Sequence, residues 1–374
     1  MSILESLQSE LVGGLGAGAV SAAVMEMDPV LDLRAGELVE VRSRHEILRT
    51  LDSRGALDSL PFMPEMLELC GRRFRVYKRA DKVCDTIDWG TLRRMERAVH
   101  LEGVRCNGGA HGGCQAGCLI HWKEAWLKRV DDPSNASTGG VSDQADDSHH
   151  PDASTCPEGT LVEATRKKRD GEEEIFSCQA TELIRATTST IPWWSVGQYV
   201  RDVRSGNVGV GSVLRGLLVG FFNKFQKANV RILPRLTLIH SGRTYPFVLG
   251  KLSGRTFSAD LGLRPGELVE VKSKEEIFET LDERDRTRGL RFDGEMLQYC
   301  GRRGRVLRRI QKIIDEKTGR MLSIDSDCIV IDGFICTGDY HRSCPRAVYP
   351  YWRESWLKRV EEDSSDVGRR PATP

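Results

Sequence analysis

Residues 36–130 return as residues 266–360 at a constant offset of 230, with no gap. Gly36-Glu-Leu-Val-Glu-Val41 recurs as Gly266-Glu-Leu-Val-Glu-Val271, Cys70-Gly-Arg-Arg73 as Cys300-Gly-Arg-Arg303, and Trp126-Leu-Lys-Arg-Val130 as Trp356-Leu-Lys-Arg-Val360. About 40 of the 95 aligned positions are identical. A duplicated unit restricts the fold, because each copy has to bury a core of its own. The chain also becomes its own comparison. Residues kept in both copies are the ones the unit needs, and they include Cys70/Cys300, Cys106/Cys336, His111/His341 and Cys114/Cys344.

The repeat divides the chain into a poorly specified leader (1–32), module A (33–130), a disordered linker (131–156), a middle region of hairpin and helix (157–257), module B (258–361) and a disordered polar tail (362–374). The linker is rich in Asp, Ser, Gly, Ala and Pro and lacks the apolar residues needed for a core. Each module begins with a short alternating strand, 37–42 or 267–272. Ser43 and Ser273 then stand three residues before Glu46 and Glu276, a capping box that opens the helices 44–51 and 274–281. A short turn at 64–69 leads to Cys-Gly-Arg-Arg and a strand over 73–78. Residues 305–314 and 320–324 flank Asp315-Glu-Lys-Thr-Gly319, a hairpin turn signal. Strands over 99–105 and 329–335 precede the cysteine loops, and 122–130 and 352–360 close the modules. In the middle region the spacing predicts a hairpin over 159–180 and an amphipathic helix over 213–225 carrying Leu214, Leu217, Leu218, Phe221 and Phe222. Such a stripe is expected to be core, with a partner or membrane face as the alternative. Residues 243–252 are expected as a strand that docks the middle region on module B.

The fold class implied is mainly β with small helices (α+β): two tandem small β-barrels plus a mixed middle region. Gly-Glu-Leu-Val-Glu-Val, followed by Gly-Arg-Arg-x-Arg-Val, resembles the first strands of SH3-like barrels over roughly 40 residues per module. The whole module also resembles an uncharacterised bacterial family, a likeness that carries over no activity and no functional residues.

Composition limits the partners. The formal net charge of +1 gives no global field toward nucleic acid or membrane. Residues 11–25 are apolar, but two acids and no Lys or Arg precede them, the wrong sign for a secretory leader. With no apolar run of membrane length, no membrane partner is expected. An odd count of 11 Cys, unequally divided between the modules, argues for a reducing cytoplasmic setting rather than a disulfide framework.

The repeated loop runs Cys106-Asn-Gly-Gly-Ala-His111-Gly-Gly-Cys114 and Cys336-Thr-Gly-Asp-Tyr-His341-Arg-Ser-Cys344. Three ligand-type residues within nine can wrap one face of an ion, and Cys70 or Cys300 supplies a fourth. Three thiolates and one imidazole suit zinc in a closed structural site, so up to two zinc ions per chain are expected. An iron–sulfur cluster is the alternative. Cys84 and Cys118, found only in module A, and Cys328, found only in module B, are alternative ligands. His100 and His121 also occur only in module A and are expected to be packed core residues. The retained acids Glu65/Glu295, Glu124/Glu354 and Asp52/Asp282 are read as caps or structural groups first. Arg73, Arg75, Arg303 and Arg305 are the candidate partner-binding residues, with Trp122, Trp126, Tyr351 and Trp352 as stacking groups if the partner is a nucleic acid. No phosphate loop, nucleophile elbow or dinucleotide fingerprint is present, so no small-molecule cofactor is expected.

The leading expectation is a non-enzymatic, zinc-stabilised tandem module that engages a protein or nucleic-acid partner. The alternative is a redox or metal-dependent enzyme, or an accessory subunit of a biosynthetic enzyme, with module A as the active copy.

Overall fold

A computed structural model describes residues 31–88, 90–131, 156–167, 174–230, 239–252 and 260–361. Nearly all of the leader, the linker and the tail, and residues 168–173 within the expected hairpin, lie outside the described residues. What is described belongs to a single unit, Leu31–Pro374.

The architecture is mixed α+β. In module A a five-stranded antiparallel sheet runs in the order Leu119–Lys123, Ala98–Arg105, Arg73–Arg79, Leu38–Val41, Leu127–Arg129. In module B four strands run Ile329–Ile331, Arg303–Arg309, Leu268–Val271, Leu357–Arg359. The registers match at the repeat offset: Leu38 pairs with Arg75 and Leu268 with Arg305. The bulges match too, at Val76/Lys78 and Val306/Arg308. One strand is missing from module B, where only an isolated Ile329–Trp352 bridge remains. Pro350 takes the place of Ile120 there, and a proline has no N–H to give to a ladder.

Both capping boxes form. Ser43 Oγ accepts from the Glu46 N–H while Glu46 Oε2 accepts from the Ser43 N–H, and Ser273 and Glu276 do the same. The helices they open are short, Arg44–Leu48 and Lys274–Phe278. Each core is nailed by an aromatic trio. Phe62 meets Trp122 and Trp126 edge-on at 6.2 and 5.1 Å, and Phe292 meets Trp352 and Trp356 at 6.2 and 5.2 Å. All four tryptophans are fully buried, so Trp122, Trp126 and Trp352 are core groups and have no face to offer a nucleic-acid base.

The middle region departs from expectation in four places. Residues 159–164 belong to a helix, Glu158–Ala164, and only Arg166–Lys167 pairs with Ile175–Phe176. Pro157 at the N-cap position and the Leu161 contact with module A favour a helical turn over a strand. Residues 156–167 and 174–186 pack into module A, with Cys156, Leu161, Cys178 and Leu183 in its core, while Ile175 and Phe176 touch the module B hairpin at Arg320 and Gly319. Residues 243–252 make no strand beyond a bridge at Leu252, although Arg243 Nη1 ties them to Asp285 of module B. The helix expected over 213–225 is longer, Val210–Asn229, and its apolar stripe is exposed instead of buried.

The two modules exchange contacts through their cysteine loops. The Ile314 N–H of module B donates to Cys114 Sγ at 3.3 Å, and the Cys84 N–H of module A donates to Cys344 Sγ at 3.1 Å. Cys84 and Ile314 are equivalent positions, as are Cys114 and Cys344. Each loop therefore sits on the other module's hairpin in the same way, the self-complementary arrangement of a two-fold interface.

Candidate metal centre

Three pairs of retained acids can be sorted by what they touch. Asp52 and Asp282 cap turns, accepting from Arg54 and Ala56 N–H and from Arg284 and Arg286 N–H. Glu124 and Glu354 are buried and hold the lead-in of each module through the N–H groups of Leu33 and Leu263, with Arg79 and Arg309 as counter-charges. Glu65 and Glu295 have neither task. They stand on the 3-10 turns Pro64–Leu69 and Gly294–Tyr299, facing the cysteine loops.

In module A the Cys106 thiol, at the end of strand Ala98–Arg105, lies 3.4 Å from His111 Nε2 and 3.4 Å from Glu65 Oε1. His111 Nδ1 is 4.0 Å from the same carboxylate oxygen. Glu65, Cys106 and His111 each place a ligand atom within 4.8 Å of the others, and Glu295, Cys336 and His341 do likewise in module B. The loop can turn this tightly because Gly108 and Gly338 are left-handed, at φ +73° and +82°. A Cβ on either glycine would meet the carbonyl oxygen of Cys114 or Cys344, at 2.0 or 2.5 Å.

The expected three-cysteine, one-histidine set is gathered in part. Cys106 and His111 come together, as do Cys336 and His341. Cys114 and Cys344 are turned to the module interface, where each accepts a hairpin N–H. Cys70 and Cys300 end the 3-10 turns and pack against the module cores, with burial raising both pKa values, that of Cys300 to about 11. Cys84 contacts Cys344, Cys118 lines a cavity behind the loop, and Cys328 is buried in a small apolar cluster with Ile310 and Val330. Each donor group thus holds one cysteine and one carboxylate. The carboxylate escaped the loop spacing because it lies 41 residues from Cys106; its retention in both copies is the only signal the sequence carries for it.

The two groups differ in what their donors already do. In module B Glu295 is satisfied: Oε2 accepts from Thr337 N–H and Oγ1–H at 3.1 and 2.8 Å, and Oε1 from Tyr340 N–H at 2.6 Å. His341 Nε2 faces Asp293 Oδ1 at 3.3 Å. Burial opposes its protonation, but the Asp293 hydrogen bond outweighs this and raises the pKa. In module A the positions of Asp293, Thr337 and Tyr340 hold Met63, Asn107 and Ala110. Glu65 Oε2 and His111 Nδ1 are buried there without a partner. Burial lowers the His111 pKa and keeps the ring neutral, while burial and then the Glu65 charge push the Cys106 thiol up. A carboxylate, a thiol and an imidazole within 4.8 Å of one another are donor types that could hold a metal ion.

This group borders a cavity of about 50 Å³. Cys114, Cys118, His121 and Cys178 line its thiol and imidazole side, and Glu316 and Arg346 reach in from module B. Burial raises Cys118 to about 12 and Cys178 to about 11. His121 is 4% exposed, neither ring nitrogen has a hydrogen-bond partner, and burial holds its pKa well below the ordinary value. His100, tilted against it at 4.4 Å, donates Nδ1–H to the Ile120 carbonyl, and burial lowers its pKa to about 4.

The candidate partner-binding arginines lie on the exposed sheet face. Arg73 and Arg303 each pair with a strand neighbour, Glu40 or Glu270, at 3.0 Å, and Arg75 and Arg305 reach the carbonyls of Gly36 and Gly266. Compared with known protein families, curated proteins and solved structures, the chain matches none.

Proposed function

We propose that this chain is a metal-centre protein in which module A holds one zinc-class ion through Glu65, Cys106 and His111, and module B braces it. The observation that carries this reading is the pair of unpartnered buried donor atoms, Glu65 Oε2 and His111 Nδ1, in module A against the satisfied Glu295 in module B. A mixed sulfur, nitrogen and oxygen donor set suits zinc. An iron–sulfur cluster has less support, because each donor group contains a single thiol. Three protein ligands leave a fourth position for a small molecule from the adjoining cavity, as in catalytic rather than structural zinc sites. The cavity has room for a few waters or a ligand of that size. The His121 ring lines the same cavity and, kept neutral by burial, could offer a hydrogen bond to such a ligand.

The reading of each module as an SH3-like barrel draws support from the matching registers and bulges of the short strands. Eleven unbridged cysteines support a reducing cytoplasmic setting. Two independent binding modules for a protein or nucleic acid have less support, since each cysteine loop is engaged by the other module.

The test is elemental analysis of the full chain and two variants. The expected result is one zinc per chain, lost in Cys106→Ser and kept in Cys336→Ser. Zinc lost equally from both variants, or absent from the parent protein, overturns the proposal.

A further inference from the structure

The helix Val210–Asn229 is built inside out. Its small and polar face, with Gly216, Gly220 and Asn223, turns to the module B loop at Tyr340 and Arg342, and Gln226 is buried with Nε2 donating to Ile239 O. Its outer face carries Val210, Leu214, Leu217, Leu218, Phe221 and Phe225, all exposed; Leu218 is 72% and Phe221 67% accessible. At 100° per residue these six fall within an arc of roughly 100°, a continuous apolar stripe. Trp193 packs on the same helix under Lys224, whose Nζ is 3.6 Å from the ring centre, and Trp194 beside it is exposed.

The charged residues of the helix itself, Arg215, Lys224 and Lys227, have one sign, and Asp339 of the module B loop faces the opposite side with Gly216 and Gly220. Residues 203–259 contain nine Lys or Arg and not one Asp or Glu, in a chain with 54 acids. On the helix itself Arg215 lies beyond one edge of the stripe, and Lys224 and Lys227 beyond the other. What covers this face is therefore apolar at its centre and anionic around it. A second copy of the chain would bring two acid-free segments together across an isologous contact and repel. A nucleic acid would leave the leucines and phenylalanines uncovered. No described helix is long and apolar enough to cross a membrane, so the fitting geometry is a helix lying in the plane of a surface.

We propose that the Val210–Asn229 face docks on an anionic lipid bilayer, burying the Leu/Phe stripe at the headgroup boundary while Arg215, Lys224 and Lys227 meet the phosphates. This departs from the expectation of no membrane partner, which rested on the overall charge and the lack of a spanning segment. The site is separate from the metal centre, so the two proposals stand or fall independently.

The experiment is sedimentation of the full chain with phosphatidylcholine vesicles, with and without phosphatidylserine. Binding is expected only with phosphatidylserine, weakened by salt, and lowered by about tenfold or more in a Leu218→Asp/Phe221→Asp variant and in a Lys224→Glu/Lys227→Glu variant. Unchanged thermal melting of both variants certifies their folds, the altered side chains being exposed. Failure to sediment with anionic vesicles, or equal binding to neutral ones, overturns the proposal. So does a chain that runs as a dimer without lipid and as a monomer after Leu218→Asp/Phe221→Asp, since a second copy would then cover the face.

Discussion

Cys344 Sγ of module B stands 3.0 Å from Cys84 Sγ of module A. Burial opposes ionisation of Cys344, but its hydrogen bond with Cys84 and the Arg346 charge hold its pKa below the ordinary thiol range, whereas Cys84 is pushed up. Two sulfurs this close can be joined as a disulfide once an oxidant accepts the two thiol hydrogens. Diamide treatment is expected to join these two residues, read as a mass loss of two hydrogens and one linked peptide pair. Cys84→Ser should abolish the link; its persistence through other cysteines would refute this pairing.

Cys114 stands at the interface between the modules, where its Sγ accepts the Ile314 N–H. Cys114→Ala removes the acceptor for the Ile314 N–H and should cost about 1–3 kcal/mol. The melting temperature should fall while zinc content stays the same. Loss of zinc in this variant would return Cys114 to the ligand set.

The aromatic cores of both modules should melt together. Phe62→Ala and Phe292→Ala each remove a ring that wedges two tryptophans, for about 3–5 kcal/mol. Because each loop rests on the other module, calorimetry is expected to record one transition in the parent chain. Two resolved transitions, each lowered by only one of the variants, would contradict the coupling.

Acid should erase the helix caps. Partial burial raises Glu46, but hydrogen bonds from Ser43 and Lys128 overcome it and bring the carboxyl to about 2; Lys358 and then Ser273 bring Glu276 to about 2. A folded pKa below the unfolded value contributes stability above the unfolded pKa, lost as pH falls through the folded one. A Glu46→Gln/Glu276→Gln variant should therefore melt below the parent near neutrality, with the gap closing between about pH 4.5 and pH 2. A gap that stays constant over that range would rule out the charged cap as its source.

The sequence was readable where one residue's role is local. Ser43 and Glu46 are three apart, and their cap formed as spaced. Strand 73–78 and the hairpin closed by Gly319 followed from alternation and turn chemistry. It was opaque where a role depends on distant chain. Glu65 joins Cys106 across 41 positions, and Cys114 accepts from the Ile314 N–H of the other module, contacts that spacing within the loop does not reveal. The 210–229 stripe misled for a related reason: periodicity defines an apolar face but not which way the fold turns it. Met63 against Asp293 was visible as a difference between copies, but its meaning needed the His341 ring beside it.

The reciprocal loop exchange has a further consequence. In a dimer of identical chains, any substitution appears on both sides of the axis at once. Covalent joining removes that constraint, and each half can change alone. Asp293 can then settle one loop with hydrogen bonds while Met63 leaves the other short of partners, and Ile314 can fill with carbon the place where Cys84 keeps a thiol. One half's loop is held by its own hydrogen bonds, and the other keeps Glu65 Oε2 and His111 Nδ1 buried without one.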